Sequence, residues 1–329
     1  MDANGDGSER IPLTKIRFGE VKCTNEVDAF RHALNHELIT LMESLPAALH
    51  TDAIIFFLND LKIPILPRFD YFRNYFAPAW SVLYWMEQQA GRQPLLTAAD
   101  RSNARTAHAM ALFLHLLDDH LNDGQLPASH LLLLLRSQAW WRMKTALDQM
   151  VADVATGERI VNDALDAYYG SIGSPPARAT LEGYCAHFRN QMATGMIVPL
   201  LMASKMACED DYADALTTAY SSFGVAWRLL DDWQDLEDDI QTGCHSAVYF
   251  GSPPDVRRLW DSAPEGDPAK PRQEIKTLVH RYGVGETLRR KIGLELASAA
   301  SMMEGIQMTG LADELRCLAG PLSAAKTPA

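Results

Sequence analysis

Apolar residues recur along most of this chain at intervals of three and four, the spacing that gathers them on one side of an α-helix; period-two alternation is scarce. The pattern predicts helices over residues 26–48, 51–61, 68–91, 97–122, 128–154, 158–169, 177–206, 210–240, 272–281 and 283–306. Proline and glycine clusters separate them, at Pro64 and Pro67, Gly124 to Pro127, Gly170 to Pro176, and Gly251 to Pro254. The charged stretch 261–275 reads as a surface loop, because helical patterning resumes after it. The expectation is one all-α domain over 23–320, with a disordered tail over 1–22 and another over 321–329.

Composition narrows the picture. The chain has 329 residues, 47% of them apolar, enough for a large core. Its net charge of −12, from 42 acidic against 30 basic residues, argues against nucleic acid as a partner. A small phosphate-bearing ligand stays open, since metal ions can invert local charge. The cysteines, Cys23, Cys185, Cys208, Cys244 and Cys317, lie far apart without a C-x-x-C. They suggest free thiols rather than a disulfide framework or a zinc site. The start of the chain has no basic segment leading into an apolar run, and no apolar stretch is long enough to span a bilayer. A cytoplasmic protein without a membrane span is expected. Asp2, Asn4, Asp6 and Gly7 imitate the opening of a calcium loop, but Leu13 stands where that loop needs its glutamate.

Two acidic clusters carry the candidate chemistry. LFLHLLDDHLNDGQLP holds Asp118, Asp119 and Asp123; AWRLLDDWQDLEDDIQTG holds Asp231, Asp232, Asp235, Glu237, Asp238 and Asp239. On a helical wheel the five aspartates of the second cluster share a sector of roughly 120°, opposite Leu229, Leu230, Trp233, Leu236 and Ile240. Asp119 and Asp123 are four apart, one turn above each other. Such runs are most often solvated faces. Here, however, like charges repel at i, i+4, and both clusters sit towards helix C-termini, where the macrodipole disfavours anions by about 0.3–1 kcal/mol each. Penalties stacked twice predict a cation between them. An all-carboxylate donor set suits Mg²⁺, Mn²⁺ or Ca²⁺ rather than zinc. Mg²⁺ takes few protein carboxylates and completes its shell with water and phosphate, so two sparse sets across a cavity would grip a metal diphosphate. Arg228 shares the acidic face, either as an i, i+4 partner of Asp232 or as a phosphate contact.

Together these motifs resemble those of the class I isoprenoid synthases, the superfamily of trans-prenyl diphosphate, squalene, phytoene and class I terpene synthases. Asp231-Asp232-Trp-Gln-Asp235 is similar to the DDxxD motif, and FGVAWRLLDD resembles the run into the second motif of polyprenyl synthases. The first motif is a residue longer, and Asp119 with Asp123 has the D-x-x-x-D spacing of squalene-synthase-like members. The resemblance implies a single-domain helical bundle around a central active-site cavity. It implies Asp119 and Asp123, supported by Asp118, as metal ligands on one wall, and Asp231 and Asp235 on the other. A second register, Asp232, Asp235 and Asp239, stays open. Mg²⁺, with Mn²⁺ as substitute, would assist ionisation of an allylic prenyl diphosphate, and a homodimer is a common assembly in the superfamily.

Departures from the pattern shape the functional expectation. Gly124-Gln125-Leu126-Pro127 stands where chain-elongating synthases place an arginine pair, and no early G-K-R site is evident. A one-substrate terpene synthase is therefore expected, with a prenyltransferase and a non-catalytic binding subunit as alternatives. Arg228, Arg189 and His245 are the expected diphosphate contacts. Phe76 and Trp80, at i and i+4, are expected to line the pocket. So are Thr194 and Gly195, beside a kink ascribed to Pro199.

Overall fold

The computed structural model describes residues 11–16, 18, 24–63, 68–90, 96–122, 124–172, 174–262 and 269–323. Helical periodicity is realised throughout, and among the described residues there is no strand. The helices are α1 Asn25–Glu43, α2 His50–Asn59, α3 Pro78–Ala90, α4 Ala98–Asn122, α5 His130–Val151, α6 Gly157–Ile172, α7 Leu181–Gln191 and α8 Ala193–Lys205. They continue with α9 Asp210–Gln234, α10 Leu236–Thr242, α11 Ala247–Gly251, α12 Pro254–Ser262, α13 Ala269–Arg281, α14 Val284–Gly305 and α15 Thr309–Ser323. Their starts follow local chemistry. Thr24, Ser129 and Thr180 cap α1, α5 and α7 by accepting the backbone N–H groups of Val27, Leu132 and Gly183. Pro78 and Pro254 stand first in α3 and α12, where a missing N–H costs nothing.

Helices that are apolar all round end up central. In α4 every residue from Ala107 to Leu114 is buried, and in α9 every residue from Ala219 to Ala226. α9 lies along α14, α4 along α5, and α14 along α15. α3, α4, α8 and α9 enclose the middle of the molecule. α8 and α9 approach closely because two glycines permit it: a Cβ on Gly195 would lie 2.6 Å from the Tyr220 hydroxyl, and one on Gly224 2.5 Å from Met192 Cγ. Among the described residues no single helix is long and apolar enough to cross a membrane.

Several boundaries differ from the sequence expectation. The long helix over 177–206 breaks at Met192, not at Pro199, which lies inside α8. Met192 turns its side chain onto Gly224, and the chain restarts as α8 in the next residue. The helix over 210–240 bends at Asp235, whose φ of −91° and ψ of 10° interrupt the helix. Only the second part of 68–91 is α-helical: Tyr71–Asn74 form a 3₁₀ turn before α3. α11, α12 and α15 were not foreseen, because short or glycine- and proline-bearing segments carry a weak periodic signal; Gly310, Gly320 and Pro321 all lie in α15. Nor are residues 11–18 a loose tail. Leu13, Ile16 and Phe18 are buried, and Gln234 Nε2 donates to the Ile16 carbonyl at 2.7 Å. Residues 1–10 and 324–329 lie outside the described residues, as do Cys23, Pro64 and Pro67; α15 continues to Ser323, past the expected domain end.

α15 is fastened to α3 by a carboxylate in an apolar interface. Glu314, 4% exposed, accepts from Trp85 Nε1 at 2.9 Å and from the Ser81 hydroxyl. Burial pushes its carboxyl up to about 7, against the pull of those two donors. The folded form thus holds a proton that the unfolded chain releases near 4.5. Its stabilising contribution is complete below that pH and is lost as pH rises through about 7. Glu314→Gln is expected to reduce the fall in melting temperature between pH 5 and pH 8, worth on the order of 1–3 kcal/mol. Thermal scans of wild type and variant across that range measure it.

Candidate active site

Asp118 and Asp119 lie in the last turns of α4, and the second cluster runs through the junction of α9 and α10. The two clusters face one another. Burial raises Asp231 and Asp232 raises Arg228, and the Asp119 carboxylate is close enough to add a smaller upward push to each.

The aspartates divide into satisfied and unsatisfied groups. Arg136, on α5, grips Asp118 with two hydrogen bonds of 2.6 and 2.8 Å. Asp232, 3% exposed, accepts on Oδ2 from Tyr184 Oη at 2.8 Å and from the Ala247 amide at 2.7 Å, and its Oδ1 forms an ion pair with Arg228, Nε lying 2.9 Å away. Arg228 Nε donates to Tyr184 Oη at 3.0 Å. Asp232 therefore ties α9 to α7 and to the start of α11. Asp232, a member of the open register of Asp232, Asp235 and Asp239, is thus paired with Arg228, and Asp118, expected as support, is paired with Arg136.

Asp119, Asp231, Asp235 and Asp239 are different. Asp119 makes no ion pair or hydrogen bond among the described residues, and Asp231 has only Arg228, at 3.9 Å. Partial burial raises Asp231 to about 6, with Asp235, Asp232 and Asp119 adding to the rise against Arg228. Burial raises Asp239 to about 7, assisted by Asp232 and Asp235 and opposed by Ser246 and Arg228. Asp235 is raised too, by desolvation and by Asp238 and Asp232. Asp239 Oδ2 and Ser246 Oγ lie buried near each other, and neither meets any other hydrogen-bond partner. Backbone bonds from Asp235 N to Asp231 O and from Asp239 N to Asp235 O, both 2.9 Å, carry the helical path through the bend. Asp231, Asp235 and Asp239 are thus stacked one turn apart. Such unneutralised oxygens fit a hard divalent cation. Among the described residues no three His, Cys, Asp or Glu side chains converge closely enough to hold one alone. Asp123 lies outside the described residues.

Below this mouth lie two adjoining cavities. One lies among α3, α4, α8 and α9 and reaches Tyr75, His115, Thr194, Gly195, Tyr220 and Trp227. The other extends towards α5 and α6 and shares Ala111, His115 and Thr194 with the first. Thr194 and Gly195 both line the first cavity. Trp80 does not: it is 1% exposed, in the core. Phe76 precedes α3, so it and Trp80 do not share a helix face; it packs edge-on against Phe18 and Trp227, with ring centroids 5.0 and 6.0 Å away. Sequence reasoning missed His115 and Trp227 as cavity residues. A signal existed: each stands four residues before an aspartate of the mouth, Asp119 and Asp231.

Two expected diphosphate contacts are engaged elsewhere. Arg189 donates to Glu295 of α14 at 2.7 and 2.8 Å, and to Ser221 and Ser222 of α9 at 3.2 and 3.1 Å, clamping three helices together. His245 stacks on Tyr249 at 3.8 Å between centroids and pairs with Asp261 at 2.9 Å. Arg228 alone of the three stands at the aspartates.

No protein-family model matches the chain, and no curated protein is similar to it in sequence. Its fold, however, is similar to solved structures. A geranylgeranyl pyrophosphate synthase from Lactobacillus brevis superimposes with a TM-score of 0.67 at 13% identity, over 89% of this chain and 97% of that one. A polyprenyl synthase from Caulobacter crescentus, complexed with calcium and isoprenyl diphosphate, gives 0.67 at 13%, over 92% and 98%. A geranylgeranyl pyrophosphate synthase from Corynebacterium glutamicum, complexed with isoprenyl diphosphate and magnesium, gives 0.63 at 13%, over 91% and 99%. With its helices gathered around a cavity capped by two aspartate clusters, the chain has the all-α fold of the class I isoprenoid synthases, in the form seen in polyprenyl and geranylgeranyl pyrophosphate synthases.

Proposed function

We propose that this protein binds an allylic prenyl diphosphate together with divalent metal ions, Mg²⁺ first among them, and breaks its C–O bond. One observation carries the reading: aspartates that outnumber the cations beside them face each other at the mouth of an aromatic-lined cavity. Asp119 on one wall, and Asp231, Asp235 and Asp239 on the other, would hold the metal. A divalent ion bound there supplies the positive charge that neutralises the departing diphosphate.

The chain's own residues do the rest. Arg228, anchored by Asp232 and Tyr184, brings a fixed positive charge between Asp119 and Asp231. Tyr75, Tyr220 and Trp227 offer ring faces to a cation below the mouth. The buried walls keep bulk water from the cation.

Transfer of the prenyl group to a second substrate is the outcome that the structures of similar fold support, ahead of the cyclisation expected from sequence. One observation keeps cyclisation as a second reading. The arginines near the mouth are each held by a carboxylate, Arg136 by Asp118 and Arg228 by Asp232, whereas a second diphosphate calls for cations of its own.

Incubation with C10, C15 and C20 prenyl diphosphates and Mg²⁺, with and without isopentenyl diphosphate, decides between them by mass spectrometry. Elongated diphosphate only with isopentenyl diphosphate present is the expected result. A hydrocarbon from one substrate selects the second reading, and no release of diphosphate from any of them refutes both. Mg²⁺ and diphosphate added together are expected to raise the melting temperature by several degrees. Asp119→Asn and Asp235→Asn should abolish that rise and slow diphosphate release by roughly 10²-fold or more. Asp232→Ala is expected to lower stability by about 3 kcal/mol, measured in urea, because it leaves the Arg228 guanidinium without its close partner.

A further inference from the structure

His115 stands where the two cavities meet, and its side chain lines both. It lies one helical turn before Asp119 on α4, on the cavity side of the mouth. Of the charged and polar groups around it, Asp119 is assigned above to the metal, and the others are occupied or are not bases. Asp118 is chelated by Arg136. The Tyr75 hydroxyl donates to the Leu112 carbonyl at 2.8 Å, and the Tyr220 hydroxyl to the Ala79 carbonyl at 3.2 Å. The Tyr168 ring centroid lies 6.1 Å from that of His115. The imidazole itself makes no hydrogen bond among the described residues. Burial, seconded by Arg228, lowers its pKa against the pull of Asp119 and Asp118, so one ring nitrogen keeps its lone pair near neutral pH.

A carbocation in such a cavity becomes a stable product by losing a proton or by capturing water. We propose that His115 is the catalytic proton acceptor that takes the proton from the carbon next to the cationic centre. This rests on the reading given under Proposed function, and it holds whether the cation arises by prenyl transfer or by cyclisation. The electron pair of the broken C–O bond leaves with diphosphate. The C–H bond then gives its pair to a new C=C bond, and its proton goes to the free ring nitrogen. The imidazolium afterwards passes that proton to the released diphosphate, so the site returns to its starting state.

The test compares wild type with His115→Asn and His115→Ala, each first shown by circular dichroism to be folded. Each is given the C10, C15 and C20 diphosphates with Mg²⁺, with and without isopentenyl diphosphate. Diphosphate release is recorded separately from the ratio of products formed by proton loss to prenyl alcohols formed by water capture. That ratio is expected to fall about tenfold or more in both variants, and added imidazole is expected to raise it again in His115→Ala. An unchanged ratio overturns the assignment, and so does complete loss of turnover in both folded variants, since ionisation should not need the base. If wild type releases no diphosphate from any substrate, the underlying reading falls and this one with it. Diphosphate release with an unchanged ratio removes the role of His115 alone.

Discussion

The organising constraint is a surplus of carboxylates at the C-terminal ends of two facing helices. α4 and α9 each deliver aspartates to the end of the helix where the macrodipole already repels anions. The protein supplies Arg136 and Arg228 against them, and these are used on Asp118 and Asp232. Among what remains, Asp119 with Asp231, Asp235 and Asp239, burial first and neighbouring aspartates second lift the carboxyl groups of Asp231 and Asp239 well above the ordinary range. A charge imbalance held by a rigid scaffold is an arrangement suited to binding cations with an anionic ligand.

The satisfied aspartates make the unsatisfied ones possible. Asp118 ties α4 to α5 through Arg136. Asp232 joins α9 to α7 and α11 through Tyr184, Arg228 and the Ala247 amide. Deeper in the molecule, Arg189 and Glu295 hold α7 against α14, and Gly195 and Gly224 let α8 close on α9. Each contact limits how far the two walls can separate to relieve their repulsion.

The same helices carry two kinds of surface, one turn apart. Towards the mouth they present carboxylates; one turn below, His115 and Trp227 enter the cavity. The helical repeat imposes this juxtaposition, because residues four apart share a face. A polar head is thereby held next to a site that is apolar and aromatic.

The sequence by itself determined the helical class, the two acidic clusters and the hard-cation chemistry they suit, because periodicity and residue type are local properties. It also marked Thr194 and Gly195, which do face the cavity. Tertiary structure decided which aspartate is free and which is consumed. Asp231 and Asp232 are neighbours with the same chemistry, yet only Asp232 meets Tyr184, across 48 residues of chain. It likewise turned Arg189 onto Glu295, 106 residues away, and His245 onto Asp261. It put Trp80 in the core and Trp227 in the cavity. Partners supplied from distant helices leave no trace in local spacing, so which carboxylate is neutralised is set only when the chain has closed on itself.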